Sequence, residues 1–221
     1  MRKLTGAVFQ SLDGVMQAPG GPDEDPTSGF RFGGWSFHYW DESLEKPFGE
    51  VIEADYDLLL GKRTYDIFAA FWPNNQETEI GAKFQRINKY VLTHSDEPLS
   101  WEHSEKLSGD TAEAVAELKR TEGRDLIIQG SSTLYAPLLA AGLIDRLVIM
   151  VFPVVLGEGK RIFDGSQASG ALRLTEHAIS DKGVAFLSYE PAGEVPTGTF
   201  ATKPPSEEEL ELRQKIGEGQ W

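Results

Sequence analysis

Three short stretches of the chain place glycine, small hydroxyl side chains or positive charge directly after an apolar run. "LIIQGSSTL" sets Gln129, Gly130, Ser131, Ser132, Thr133 and Leu134 at such a point, "LLLGKRT" sets Gly61, Lys62, Arg63 and Thr64, and "YVLTHS" sets Thr93, His94 and Ser95. Glycine lets a backbone approach a ligand closely, and a helix starting next offers free N–H groups and a positive dipole end. Hydroxyls, lysine and arginine add donors and charge, so the inventory suits a ligand with several phosphates. Each stretch taken singly is also an ordinary turn with a capping serine or threonine. Three of them on one sheet favour a site.

Other chemistries are poorly served. "GEGKRIF" at 157–163 and "GKRT" at 61–64 lack the spacing of a P-loop, and no Gly-x-Gly-x-x-Gly follows the first strand. His38, His94, His103 and His177 lack ligand spacing, so no metal site is expected. Asp23, Glu24 and Asp25 read as a solvated loop tip. Gly-x-Ser-x-Gly is absent, and with no cysteine there is neither a disulfide nor a thiol nucleophile. A formal charge of -14, from 35 acids and 21 bases, repels nucleic acid and anionic membranes at long range. The apolar stretch of "MRKLTGAVFQSLDG" is interrupted too early for a signal peptide, and no run reaches the roughly 18 apolar residues of a membrane span. The expectation is a cytoplasmic protein acting on a small molecule.

The elements that would position these residues can be read along the chain. Lys3 to Gln10 reads as a first strand, followed by a long Gly-, Pro- and Asp-rich loop. Asp41 to Asp55 reads as an amphipathic helix that Pro47 should kink or split. "YDLLLG" is a buried strand running into a helix, Ile80 to Ile87 is helical, "KYVLTHS" is a strand, and Thr111 to Thr121 is a helix capped by Asp110. "DLIIQ" and the helix after it close at Gly142, "DRLVIMVFPVVLG" is a strand run, and Ala171 to Glu190 forms a terminal hairpin. The alternation predicts an α/β fold with a mostly parallel sheet covered on both faces. Residues 192–221 lose all periodicity and read as an acidic appendage, either crossing to a partner subunit or covering the substrate mouth with Phe200 and Trp221 as apolar anchors, or simply loose.

"SLDGVMQ", "DLLLGKRTYDIF" and "QGSSTLYAPLLAAGLIDRLVIMVFPVVLGEGKRIF" resemble the dihydrofolate reductase-like family, which includes the reductase domain of the bifunctional riboflavin-biosynthesis deaminase-reductase. The resemblance spans residues 1–191. It implies a three-layer fold with a mixed, mostly parallel sheet flanked by helices and a C-terminal antiparallel hairpin. It also implies NADPH as cofactor, a hydride acceptor that is a pterin-like or pyrimidine-like heterocycle, and a homodimer. Lys62, Arg63 and Thr64 would grip the cofactor phosphates, Thr93, His94 and Ser95 the adenosine ribose and its 2′-phosphate, and Gly130 to Leu134 the pyrophosphate. Backbone near Phe9, Gln10 and Val15 would hold the nicotinamide. Asp13 is the candidate for assisting proton delivery, with a turn beside Gly14 as its plainer role. Trp35 and Trp40, with Phe37 and Tyr39, would stack on the acceptor or pack inward. Asp41, Glu45 and Glu50 are candidate anchoring acids. The chain departs from the bifunctional enzyme in carrying Gln129 where the reductase domain often has an acid, so the resemblance implies a riboflavin biosynthesis-like domain without fixing the riboflavin-pathway substrate. The alternative is a non-catalytic nucleotide- or heterocycle-binding module of the same fold.

Overall fold

Uninterrupted apolar runs make strands whose alternate residues enter different cores. In β5 (Asp125–Gln129) Leu126 and Ile128 face one side and Ile127 the other, and in β2 (Tyr56–Gly61) Leu59 opposes Leu58 and Leu60. Both faces therefore need helical cover. The protein, described from a computed structural model over residues 1–163, 165 and 169–220, supplies it. One face carries α4 (Thr111–Arg120) and α5 (Ser132–Ala140), with Val115, Leu118, Leu134 and Leu138 buried. The other carries α1 (Glu45–Glu53), α2 (Lys62–Phe71) and α3 (Glu79–Arg86), with Tyr65 and Phe84 buried.

The sheet has eight strands in the order β4-β3-β2-β5-β1-β6-β8-β7. β1 (Leu4–Ser11) lies between β5 and β6 (Arg146–Phe152), parallel to both, and β2 pairs in parallel with β5 and β3 (Lys89–Leu92). β8 (Ala185–Pro191) runs antiparallel between β6 and β7 (Leu172–Ile179), the expected hairpin. From β1 the chain moves outward through β2 and β3, then returns through β5 to β6. The reversal falls beside β1, where sheets of this kind bind ligands at the carboxyl ends of their strands. The three-layer α/β architecture expected from the resemblance is the one observed.

Three local expectations need correction. Pro47 neither kinks nor breaks α1, because it occupies the first turn, where its missing N–H has no intrahelical partner. The segment divides earlier, into a 3₁₀ turn at Glu42–Leu44 and the helix proper. "YVLT" does not hand over to a helix. The chain leaves β3 through a loop containing Pro98 and adds the short edge strand β4 (Ser104–Leu107), whose charged, exposed sequence gave no strand signal. The run 23–25 is not a free loop tip, since Glu24 and Asp25 are both partly buried. Beyond β8, residues 192–220 are exposed throughout, including α6 (Glu207–Gly217) and Phe200, and Trp221 lies outside the described residues. No helix among the described residues is long and apolar enough to cross a membrane.

Candidate functional site

Two strand-to-helix turns, at the ends of β2 and β5, meet and hold each other. Ser131 adopts a left-handed backbone at φ 53°, and its Oγ accepts the Gly61 N–H at 2.9 Å. Its own N–H donates to Thr64 Oγ1, also at 2.9 Å. Gly130, at φ +65°, passes so close to Thr64 that an added Cβ would sit 3.0 Å from its Cγ2. The serine hydroxyl and the threonine hydroxyl are thereby spent on backbone, not on capping. Neither α2 nor α5 has a side-chain cap, whereas α3, α4 and α6 are capped by Thr78, Asp110 and Ser206. The Leu134 N–H is taken by the Ser131 carbonyl at 2.9 Å, but the N–H groups of the first residues of α2 and α5 have no side-chain cap and remain for a ligand, with the positive end of each dipole behind them.

These turns form one end of a cavity of about 550 Å³, of the size that holds a small organic ligand. Its wall crosses five adjacent strands, from Gly61 of β2 and Gln129 of β5 past Ala7 and Phe9 of β1 to Met150 of β6 and Phe186 of β8. Four interstrand gaps span on the order of 19 Å. Phe48 of α1, Phe68 of α2 and Trp72 close the apolar side.

Of the residues singled out in the sequence, the cavity brings together Gly61, Lys62, Arg63, Thr64, Gln129, Gly130, Ser131, Ser132 and Thr133. Lys62 is neutralised where it stands: Nζ lies 2.8 Å from Asp66 and 3.1 Å from Glu97, and the bonds to Asp66 and then Glu97 raise its pKa. Arg63 is exposed and forms no ion pair among the described residues.

The remaining candidates stand elsewhere. Leu134 is core beneath α5. Val15 is fully buried, and its backbone is used locally, N–H to Ser11 Oγ and carbonyl to the Ser11 N–H. Thr93, His94 and Ser95 do not line the cavity, and Thr93 Oγ1 accepts the Ser95 N–H in a local turn. Asp13 ties two loops together: its carboxylate accepts from Ser11 Oγ, Leu156 N–H and Gly157 N–H at 2.7–3.1 Å and lies 3.3 Å from Arg161. Burial pushes its carboxyl up, but the bonds from Ser11, Leu156 and Gly157 outweigh that and hold it at about 2. A carboxylate so fully engaged has no free oxygen aimed at a proton acceptor, and the turn role beside Gly14 is the one its contacts describe. Trp35 is buried edge-on against Phe152 and donates Nε1–H to the Gln17 carbonyl. Trp40 packs on Phe48 and Phe9, and Asp41 caps the 3₁₀ turn and accepts the Lys182 N–H. None of these three lines the cavity.

What the residue pattern did not reveal is the part of the wall built by the loop after β1 and by Lys160. Glu24, Asp25 and Lys160 line the cavity there. Lys160 Nζ pairs with Asp25 and bonds Thr27 Oγ1 at 2.9 Å. Glu24 Oε2 accepts N–H bonds from Gly20 at 2.6 Å and Gly21 at 3.2 Å. The one legible signal was "PGGPDE", two glycine donors just before a carboxylate. Lys160 lies in the rejected "GEGKRIF" stretch and had no signal of its own.

A mostly parallel three-layer sheet with its cavity at the strand carboxyl ends is a ligand-binding α/β arrangement. The match that places it more narrowly covers residues 2–186: the chain belongs to the RibD C-terminal domain family. It is 28% identical over 173 residues to the uncharacterized protein YwjB of Bacillus subtilis (strain 168), across 78% of this chain and 89% of that one. To the uncharacterized protein YyaP of the same organism it is 24% identical over 136 residues, 60% and 72% of the two chains. Among solved structures it is similar to a putative riboflavin biosynthesis protein from Shewanella sp. PV-4, with TM-score 0.62, 20% identity and coverage of 87% and 99%. It is also similar to dihydrofolate reductase from Enterococcus faecalis complexed with NADP(H), with TM-score 0.51, 16% identity and coverage of 86% and 96%. The fold shared with both is dihydrofolate reductase-like.

Proposed function

We propose that the protein is an NADPH-dependent reductase acting on a small heterocyclic acceptor. One observation carries the reading: the helices that follow two adjacent strands, β2 and β5, bring N-termini without side-chain caps to one cavity, while the Ser131 and Thr64 hydroxyls lock the two turns together. The residues fit a dinucleotide phosphate. Gly130 offers bare backbone, Arg63 an uncommitted guanidinium, and the first turns of α2 and α5 their N–H groups. The unpaired Arg63 favours the extra phosphate of NADPH over NADH.

When bound, the reduced nicotinamide supplies a hydride. This chain's own part is orientation and exclusion of water. The cross-locked turns fix the phosphate end without further rearrangement, and Phe9, Met150 and Phe186 make an apolar floor across β1, β6 and β8. The relatives support the reading at the level of fold, and the E. faecalis neighbour was solved with NADP(H).

Thermal melting with NADPH tests it first. A ligand that binds only the folded chain at about a thousand times its dissociation constant adds roughly 4 kcal/mol of apparent stability. NADPH oxidation with a panel of pterins, pyrimidines and quinones then tests turnover. Absence of any melting shift at millimolar NADPH removes the proposal, and a shift without turnover across the panel leaves the binding-module alternative.

A further inference from the structure

Between β6 and β7 the sheet runs out of cover on one face. Leu147 and Ile149 of β6 are buried in the core beneath α4 and α5. Opposite them in the ladder stand Tyr189 and Leu187 of β8, both half-buried, and the register carries the same face on to Leu174, His177 and Ile179 of β7. Leu174 and Ile179 are 45% and 64% exposed. The reverse face of the hairpin is closed by ion pairs, Arg146 with Glu176 at 2.5 Å and Arg173 with Glu190 at 2.6 Å. The edge of β7 is interrupted by a bulge between Leu174 and Glu176, which disfavours direct strand pairing with another chain. What the hairpin offers is an apolar face.

The same chain carries a helix with nothing to cover. Ala192 and Gly193 extend the ladder to Ala171, and residues 194–220 lie beyond the family match, which ends at 186. α6 is well specified: Ser206 Oγ accepts the Glu209 N–H at 3.2 Å, Glu207, Glu208 and Glu209 stand at its positive end, Lys215 occupies its last turn, and Gly219 follows at φ +71°. Eleven residues are nevertheless marginal for a helix alone in water. Leu212 and Ile216, one turn apart on the same side, are 57% and 43% exposed, and Phe200 is wholly exposed. These groups need a surface. Their own hairpin is not that surface, since both elements remain exposed in the single chain. Pro196, Pro204 and Pro205 stiffen the connection 194–206, which spans on the order of 40 Å when extended. Such a spacer favours reach over return.

We infer that residues 194–220 are an exchanged arm: Phe200 and the Leu212 and Ile216 side of α6 cover the β7–β8 face of a second copy, whose arm covers this one in turn. The element lacking a surface and the surface lacking cover belong to every chain, so one two-fold exchange answers both twice. The assignment is independent of the cofactor reading.

The chain contains no cysteine, so introduced thiols give an unambiguous test. Full-length Leu174→Cys and Ile216→Cys chains, mixed and treated with a short bismaleimide, should give a covalent heterodimer. A single chain carrying both substitutions should give covalent dimers as well. A cross-link confined to the monomer, or none, overturns the proposal. Sedimentation equilibrium supplies the second measurement: Ile216→Glu and Ile179→Glu should each raise the dimer dissociation constant tenfold or more. Both positions are exposed, so circular dichroism should show the fold retained. A wild type that stays monomeric at 100-micromolar order, or a dimer indifferent to both substitutions, rules the exchange out. Hydrogen exchange joins the two elements directly. The α6 amides should be protected in the wild-type dimer and lose that protection in Ile179→Glu, although the substitution lies on β7. Free-helix exchange rates for α6 in the wild type would equally sink the inference.

Discussion

At the amino rim of the central strands, Arg2 reaches Asp57 at 2.7 Å with both side chains almost fully buried, and Arg124 approaches the same carboxylate at 3.5 Å. Lys119 pairs with Asp145, whose Oδ2 also accepts the Leu4 N–H, and Asp125 accepts the Lys3 N–H at 2.6 Å. At the carboxyl rim of the same strands, α2 and α5 start without side-chain caps, and among the described residues Arg63 and Glu24 have no ion-pair partner. The amino rim pairs its charged groups internally, although Arg2 Nη1 and the Tyr56 hydroxyl are buried there without a hydrogen bond. The other leaves chosen ones open, which weakens the fold slightly and creates a place for a ligand. Charged residues crowd both rims, so their density does not separate the site from the scaffold. What separates them is whether the geometry has already supplied each charged group with an ion partner.

Asp57→Ala should test the closed rim most severely. It strands the buried Arg2 guanidinium, and stability measured by urea melting should fall by about 3–5 kcal/mol, with NADPH affinity of the folded fraction unchanged. A loss of under about 1 kcal/mol would mean that water reaches the pair and that the two rims differ less than the burial implies. Gly130→Val attacks the open rim. Its side chain would press on Thr64 from a backbone at φ +65°, and NADPH binding should weaken by about 2–3 kcal/mol while circular dichroism shows the fold retained. Normal binding by a folded variant would take the phosphate role away from this turn.

Arg63→Ala should cost NADPH about 1 kcal/mol more than NADH, read by paired titrations. Equal losses would leave the 2′-phosphate to another group. The smallest effect concerns Asp13, a group on the open rim that is internally answered. Its folded pKa, about 2, lies below the ordinary 3.8, so its stabilising effect is complete above about pH 4 and is lost as pH falls towards 2. Asp13→Asn should flatten the acid limb of the melting curve in that window and leave turnover at neutral pH intact. Loss of turnover with the acid limb unaltered would restore Asp13 as a proton-delivering group.

The sheet was legible because burial on both faces imposes continuous apolar runs, and "DLLLG" and "DLIIQ" have no other comfortable place. The phosphate-type turns were legible for a similar reason. Close backbone approach demands glycine, and Gly61 and Gly130 stand where strands become helices. Thr93, His94 and Ser95 show the limit of that logic. They share the local pattern, but no helix follows, and "SDEPLSW" offers no helical period to supply one.

Local chain chemistry, then, determined the architecture, the two turns and the openness of their backbones, since each depends on residues within a few positions of one another. It did not determine which carboxylate is free. Asp13, Asp25, Asp41 and Glu24 look alike in sequence, but Asp13 meets Leu156 and Gly157, Asp25 meets Lys160 and Asp41 meets Lys182, each far along the chain. Among the described residues, Glu24 alone of the four is bound solely by near neighbours, Gly20 and Gly21. An acid's role is set by the partners that folding brings to it. Those partners belong to the tertiary structure.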